Sequence, residues 1–518
     1  MNFTGLTEDA IKEQFEAAEQ AQPVQYAAID LGSNSFHLAI AEYDGHSFRV
    51  IGRLKDKVQL ATGLDDNDVL SQEAIERGLN CLKLFQERIK NIPAKYTKVV
   101  ATYTLREAKN AKAFVEPAEM ILNNPIEILP GKEEARLIYE GVSHNHPDIE
   151  TALVIDIGGG STEIILGDKF EPINLDSLSI GCVTYQRYFP NGEINEKHFE
   201  NAILTAAAEI SRIEKRYLSS SWQHCLGSSG SIEAVYKVLV ELGFDEGFIR
   251  PSHLQILKDQ LIQMGYFEKI TFSELSLSRQ NTFAVGLAIL IALFQELNID
   301  KMYVANGSLR EGILIELAEE LKGNDNRHHT ALSLMSRFNV DQEYAIQVKR
   351  SAQHIFDQVA DIWQINHPIY KNYLDWACLL HEIGLSISFS KLRLHSAYIV
   401  QYGDMPGFSQ QTKESLAAII ANQRKKLYPE QFDNKYDPSC ALLAITQILR
   451  LAILLNIKRD QVDISGLTFA ASSHNQLTIR IPQQWAYKHQ LLLAELNKEK
   501  AYLEYHKIQL DWTVEGAN

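Results

Sequence analysis

Two short segments of the chain concentrate the residue types that handle phosphate. The first is Asp30-Leu31-Gly32-Ser33-Asn34-Ser35 and the second is Asp156-Ile157-Gly158-Gly159-Gly160-Ser161-Thr162-Glu163. In each, an apolar run stops at an Asp and gives way to glycine and hydroxyl residues. A tight turn of that composition exposes successive backbone N–H groups, a concave row of donors suited to phosphate oxygens. Glycine allows the close approach that a Cβ would block. Asp30 and Asp156 stand where a carboxylate can hold a divalent cation, directly or through water. Gly32, Ser33, Asn34 and Ser35 are therefore expected to bind phosphate on one side of a cleft, and Gly158, Gly159, Gly160, Ser161 and Thr162 on the other. Either turn alone would be an ordinary hairpin.

Their recurrence separates them from ordinary turns. Ala27–Gly32 aligns on Leu153–Gly158, Ser35 on Ser161 and His37 on Glu163, and the copies lie 126 residues apart, the distance from Asp30 to Asp156. That spacing is too long for a solenoid repeat and suits two similar half-domains. Glu163 shares a strand face with Ser161, so it points toward the turn, where it could serve a metal or a water. A solvent-facing strand Glu is the alternative.

Other candidates are weaker. Gly227-Ser228-Ser229-Gly230 presents a turn to a helix start, a ready anion site; Asn306-Gly307-Ser308 is a fainter copy that tight strand–helix packing also explains. Glu133 and Glu134 open a helix after Gly131, where acidic residues commonly only complement the helix dipole. Arg106 follows a strand and could clamp a phosphate with its planar fork, but an isolated Arg at a helix start is usually a surface residue. His381-Glu382 resembles the His-Asp centre of HD-type metal phosphohydrolases. Glu382 stands where Asp is usual there and Asn456 where a ligand Asp would be, so a metal site is not expected in that region. Lys391, Arg393 and His395, with Arg424, Lys425 and Lys426, form two basic clusters; a solvated face is the default reading and a track for a long polyanion the competing one. His144-Asn145-His146 and His328-His329 fall in loop-like contexts without an assigned role.

The elements that must position these residues follow from periodicity. Strands are expected at Tyr26–Ile29, Ser35–Glu42 and Ser47–Gly52, with Asp44-Gly45 as a hairpin turn. A helix spans Ser71–Ile89 with Ser71 as its cap. Strands at Lys98–Thr102 and Ile126–Leu129 precede a helix from about Lys132. Strands at Ala152–Ile155 and Ser161–Leu166 are followed by strand–turn–helix junctions at His224–Ser231 and Lys301–Leu321. Residues 322–329 (KGNDNRHH) read as a linker. Leu332 to about Leu455 is helical, and short strands return at Leu467–Ala471, Gln476–Ile481 and Lys507–Thr513, with a helix near Gln490–Lys498.

A length of 518 residues implies several domains. The formal net charge of −16 argues against non-specific binding to nucleic acid or a membrane surface, since the whole-molecule field repels polyanions. Five cysteines without a C-x-x-C pair suit reduced thiols in a cytoplasmic protein. Met1–Gln22 is polar and lacks the pattern of a secretory signal. The longest apolar run, Phe283–Phe294, is too short to span a bilayer and contains Gly286, so a buried core helix is expected and any membrane association would be peripheral.

Taken in order, Asp30–His37, Thr104-Leu105-Arg106, Gly131-Lys132-Glu133-Glu134-Ala135-Arg136, Asp156–Glu163 and Leu309-Arg310-Glu311-Gly312 resemble the exopolyphosphatase/guanosine pentaphosphate phosphatase family. The resemblance extends through Arg77–Leu82 and His395–Tyr398, and Gly52-Arg53-Leu54-Lys55 is closer to the long exopolyphosphatases. It implies an α/β chain with duplicated actin/Hsp70-like (ribonuclease H-like) domains over 1–137 and 138–320. An all-α HD-like domain over 321–457 and a small α+β domain over 458–518 would follow. It further implies Mg²⁺-dependent, processive hydrolysis of terminal phosphate from inorganic polyphosphate, K⁺ being a further candidate cofactor, and a cytoplasmic homodimer. By the family pattern Glu134 activates water, Asp156 and Glu163 hold the metal with Asp30 nearby, and Arg106 neutralises the terminal phosphate. Asn306 and Gln423 depart from that pattern, where relatives carry Asp and His. Hydrolysis of guanosine pentaphosphate (pppGpp), a kinase-like phosphotransfer, and a non-catalytic polyphosphate- or alarmone-binding regulator are the competing readings; an intact Glu134, Asp156 and Glu163 set argues against the last.

Overall fold

A computed structural model describes residues 24–43, 48–218, 222–322, 326–432, 439–459, 462–473 and 476–515. The Asp44-Gly45 turn lies outside them. The chain forms two compact units, Met1–Asn324 and Asp325–Asn518.

The first unit is built on two five-stranded sheets of the same design. In one, β1 (Val24–Leu31), β2 (Phe36–Tyr43) and β3 (Phe48–Asp56) form an antiparallel meander, and β4 (Thr97–Ala101) and β5 (Ile126–Ile128) add in parallel on the other side of β1, giving the order β3-β2-β1-β4-β5. The helices α1 (Gln72–Ile89), α2 (Tyr103–Glu107), α3 (Lys112–Leu122) and α4 (Gly131–Ser143) belong to this half. The second sheet repeats the plan with β6 (Thr151–Ile157), β7 (Thr162–Asp168), β8 (Glu171–Leu178), β9 (His224–Gly227) and β10 (Tyr303–Val304), in the order β10-β9-β6-β7-β8. Its helices are α5 (Glu196–Ile210), α6 (Lys215–Leu218), α7 (Gly230–Glu241), α8 (Pro251–Met264), α9 (Gln280–Glu296) and α10 (Leu309–Leu321). This is the duplicated actin-like arrangement. The central strands β1 and β6 read as continuous apolar runs because both their faces are covered.

The closing helices are exchanged between the halves. α4 packs on β7 and β8, and α10 lies against β1, β2 and β4. One core accordingly joins Ala28 and Val100 of the first sheet to Val154 and Ile165 of the second through Leu137, Ile138, Ile313 and Leu314. α9 is buried from Thr282 to Phe294, as its unbroken apolar run requires. Among the described residues no helix is long and apolar enough to cross a membrane.

The second unit holds α11 (Asn326–Arg337), α12 (Gln342–Val359), α13 (Pro368–Leu380), α14 (Leu392–Tyr402), α15 (Gln410–Ala421) and α16 (Ser439–Leu455). It ends in a sheet ordered β11-β12-β13 (Thr468–Ser473, Gln476–Pro482 and Gln509–Glu515), with α17 (Gln483–Lys488) and α18 (Gln490–Glu504) between β12 and β13. A single core runs from Trp363, Trp376 and Phe408 in the helices to Phe469, Ile479 and Leu510 in the sheet, so the boundary expected at 457 does not divide two cores.

Several boundaries differ from the sequence reading for local reasons. Of the expected linker, Asn326–His329 is the first turn of α11, whose Ala331, Leu334 and Met335 are buried at helical spacing; His328 and His329 are therefore helical. α18 continues past Lys498 to Glu504 because Leu503 is buried in line with Leu496. β13 starts only at Gln509, since Lys507 takes a left-handed φ of 61° that no strand continues. β3 runs on to Asp56, and this extension carries Arg53 and Lys55 to the site.

Candidate active site

The two glycine turns close the ends of β1 and β6 and meet. A Cβ on Gly159 would stand 3.1 Å from Asn34 and from Ser33, tighter than ordinary contact, so glycine eases the close approach of the second turn to the first. The backbone N–H groups of Ser33, Asn34, Gly159 and Gly160 donate to nothing among the described residues, whereas the carbonyls of Gly158 and Gly159 accept from Cys182 and Val183. The turns are thus anchored through their carbonyls, leaving donors for an anion. Between them lies a cleft of about 420 Å³. Asp30, Gly32, Ser33, Asn34, Ser35, Glu134, Asp156, Gly158, Gly159, Gly160, Ser161, Ser228, Ser229 and Gly230 all line it. Ser229 caps α7 by accepting from Ile232 N–H, which aims the start of that helix at the cleft.

Four expected residues stand behind this wall. Gly227 ends β9. Thr162 is fully buried and its hydroxyl donates to the Ile180 carbonyl at 2.6 Å, which leaves no side-chain donor for phosphate. Glu163 is buried beneath Ser161, opposite Asp156 in the β6–β7 ladder, and accepts from the Ser177 hydroxyl at 2.8 Å. Arg106 donates from Nη1 to the Glu134 carboxylate at 3.1 Å and to the Leu129 carbonyl at 2.8 Å. It therefore fixes Glu134, which is far from the simple dipole partner that its place in a first helical turn suggests.

Electrostatics mark the floor of the cleft. Burial pushes the Asp30 carboxyl up to about 7; Arg310 opposes the shift, and Glu134 and Asp156 add to it. Burial also raises Glu134 against the pull of Arg106, and Asp156 against the bonds and charges of Ser228 and Arg310. Glu163 is raised well above the usual range, by burial first and then by Glu134 and Asp156. Such a gathering of carboxylates calls for positive charge.

Much of that charge comes from residues without an assigned role in the sequence reading. Arg53, Lys55, Arg279 and Arg310 line the cleft. Burial and the neighbouring Arg279 and Arg310 lower Lys55 to about 8. Lys57 falls to about 8 through burial, Arg279 and Lys55. Crowded cations of this kind disfavour one another's charge. Arg310 donates to His37 Nδ1 at 2.6 Å. Burial, then Arg310, Lys55 and Arg279, hold the His37 imidazole down at about 2, so it is a neutral acceptor. The available signals were the alternation of Arg53, Lys55 and Lys57 along and just past one strand and the Leu309–Gly312 motif at a helix start.

An oxygen-rich cation site fits this floor. Asp30 Oδ1, Ser33 Oγ and Asn34 Oδ1 are buried without a partner. Among the described residues no three His, Cys, Asp or Glu side chains converge as a metal cluster. Mg²⁺ does not require one, because it keeps several waters and commonly takes one or two carboxylates. In the second unit, His381 Nε2 is buried without a partner, Glu382 is held by Arg459 at 2.6 Å and Asn456 donates to Ser351 and to the Ala452 carbonyl.

The basic clusters of that unit partly converge. Lys391, Arg393, Arg424 and Lys425 line a cavity of about 400 Å³ with Lys498 and Arg450. Arg393 donates to the Ala421 carbonyl and Lys426 lies over the Tyr428 ring; neither His395 nor Lys426 lines the cavity. His146, left without a role above, accepts from Asn306 N–H at 3.0 Å and so anchors the Asn306–Ser308 turn.

The model of the Ppx/GppA phosphatase family matches residues 39–321, and that of Ppx/GppA phosphatase domain III matches 326–500. The chain belongs to the Ppx/GppA phosphatase family. A Ppx/GppA protein is a phosphatase, and the cleft of this member is where its phosphate chemistry is to be sought. Among solved structures, the chain is similar to an exopolyphosphatase from Cytophaga hutchinsonii at 21% identity and a TM-score of 0.53, over 58% of this chain and 98% of that one. An exopolyphosphatase-like protein is similar at 22% identity and a TM-score of 0.52, over 58% and 100%. A PPX-GPPA enzyme of Aquifex aeolicus matches at 23% identity and a TM-score of 0.49, over 57% and 99%.

Proposed function

We propose that this Ppx/GppA phosphatase is an exopolyphosphatase: it hydrolyses the terminal phosphoanhydride of inorganic polyphosphate, releasing orthophosphate and a chain one unit shorter. The observation that carries this reading is Glu134, fixed by Arg106 at the floor of a cleft with free backbone donors on both turns and a wall of cations. Water attacks the terminal phosphorus in line with the bond that breaks. Glu134, raised by burial, orients that water and takes its proton. Charge spreads over the phosphoryl oxygens in the transition state, where the N–H groups of Ser33, Asn34, Gly159 and Gly160 stabilise it. Arg310, steadied by His37, faces the same space, and Arg53, Lys55 and Arg279 hold phosphates further along. Mg²⁺, held by Asp156 and Asp30 with Glu163 beneath, would neutralise phosphate charge when bound. Orthophosphate release from long polyphosphate and from pppGpp, compared as kcat/KM, tests the assignment; no release from polyphosphate would refute it.

One feature favours pppGpp as a second substrate. Past Arg53 and Arg310 the cleft adjoins a chamber of about 490 Å³, walled by Phe48, Val50, Leu314 and Ile315 with Asn145 and Asn306 among its polar groups. A nucleoside needs that mixture of apolar wall and amide partners; an inorganic chain does not. Preference for pppGpp in the same comparison would support this reading.

A further inference from the structure

Three elements deliver the groups discussed above: β4 leads to Arg106, α4 carries Glu134 and α10 carries Arg310 in its first turn. All three are tied together at one buried carboxylate, some distance along each element from the cleft. Glu316 on α10 accepts from Lys98 of β4 through Oε2 at 2.8 Å and from Arg136 of α4 through Oε1. The Glu316, Lys98 and Arg136 side chains are 6%, 7% and 10% exposed. Arg136 is also held by Glu133 at 2.6 Å and by Glu140 at 2.7 Å, and Lys98 by Glu320 at 2.9 Å.

Backbone packing leaves no slack around this knot. A Cβ on Gly141 of α4 would overlap the Ser308 carbonyl, and one on Gly312 of α10 would overlap the Leu137 carbonyl. The two helices therefore touch at backbone distance, each packed on the sheet of the other half. With the contact so close, a small slide of α10 along α4 moves Arg310 relative to Glu134.

We infer that Glu316 is a positioning residue: by bridging Arg136 and Lys98 it sets the register of α10 on α4 and β4, and so the placement of Arg310 opposite Glu134 and Arg106. The inference rests on the functional reading above for its kinetic consequence but not for its geometry. Buried ion pairs are weak devices for stability, and replacing both partners by apolar residues is often neutral for folding. What the pair supplies here is direction, since a bridging carboxylate fixes three elements at one point and apolar contacts do not.

The test is Glu316→Leu in the full chain, which breaks the bridge while Arg136 keeps Glu133 and Glu140 and Lys98 keeps Glu320. The expected result is a melting temperature near wild type, KM within about threefold, and kcat lowered at least tenfold, a loss of about 1.4 kcal/mol in transition-state stabilisation. Leu317→Ala, a buried contact on the same helix, is the control, expected to lower the melting temperature and leave kcat unchanged. An unchanged kcat in the folded Glu316→Leu variant overturns the inference. The second readout does not depend on activity. Histidine-selective ¹⁵N labelling reports His37 Nδ1, which accepts from Arg310, and its resonance should move in the variant; an unmoved resonance also overturns the inference. Should Glu316→Leu fail to fold, Glu316→Asp, which keeps the charge and shortens the reach, is read in the same two ways. A wild-type protein that releases no phosphate would refute the functional reading, and the His37 resonance would still decide the geometry.

Discussion

Asp156 and Glu163 face each other across the β6–β7 ladder, and the matching place in the first half is held by Asp30 and His37 across β1 and β2. One duplicated position therefore serves opposite charges. In the second half it adds a carboxylate beneath the cleft, and in the first it holds a cation, because His37 accepts from Arg310. The duplicated frame supplies two opposed glycine turns, and this exchange adds a carboxylate on one side and a cation on the other.

Glu134→Gln keeps the size of the side chain and a hydrogen-bonding partner for Arg106 but removes the basic oxygen. Loss of general-base catalysis is worth about 10² to 10⁴ in rate. We expect kcat to fall by at least 10² while polyphosphate binding, followed by calorimetry, persists. An unaltered kcat would remove Glu134 from the mechanism.

Arg310→Ala should lower kcat on the order of 10², the usual cost of deleting a donor aimed at developing charge. His37→Ala frees Arg310 without removing it, so a smaller loss is expected, and Arg310→Ala/His37→Ala should be no worse than Arg310→Ala alone. Additive losses in that cycle would show that the two residues act separately.

The raised Asp30 carboxyl gives the metal-free protein a pH-dependent stability. The folded chain holds this proton after the unfolded chain has lost it. Its contribution is therefore present at low pH and disappears as pH rises from 3.8 toward about 7. With chelator present, Asp30→Asn should melt higher than wild type by a few degrees at pH 8, and the difference should shrink at pH 4. A constant difference at both pH values would contradict the burial argument.

If the carboxylate floor takes Mg²⁺, chelator should abolish phosphate release and Mg²⁺ should restore it saturably. Asp156→Asn should raise the Mg²⁺ concentration needed for half-activation. Full activity in chelator would exclude the proposed role of these carboxylates.

Lys391, Arg424 and Lys425 bring positive charge to one cavity of the second unit. Lys425→Glu together with Arg424→Glu should raise KM for long polyphosphate several-fold more than for tripolyphosphate. Equal effects on both lengths would end the idea of a polyphosphate track there.

The sequence by itself determined the duplicated frame and the identity of the two turns. An Asp-Gly-Ser turn after an apolar strand is a local object: its backbone geometry and donor row follow from the residues within it, and its repetition is visible by alignment of the chain with itself. The buried α9 and the helical character after residue 326 are local in the same sense. Only the tertiary structure decided what surrounds those turns. Arg106, Glu134, Arg310 and His37 come from separate elements, and each by itself reads as an ordinary surface or capping residue. They meet when the exchanged helices α4 and α10 set Glu134 against Arg106 and Arg310 against His37, where burial raises the carboxylates and turns His37 into an acceptor. Thr162 shows the converse, because a hydroxyl in a phosphate-like motif is spent on the Ile180 carbonyl once its strand pairs. Burial and opposing charge belong to the packing of distant segments, and no spacing along the chain encodes them.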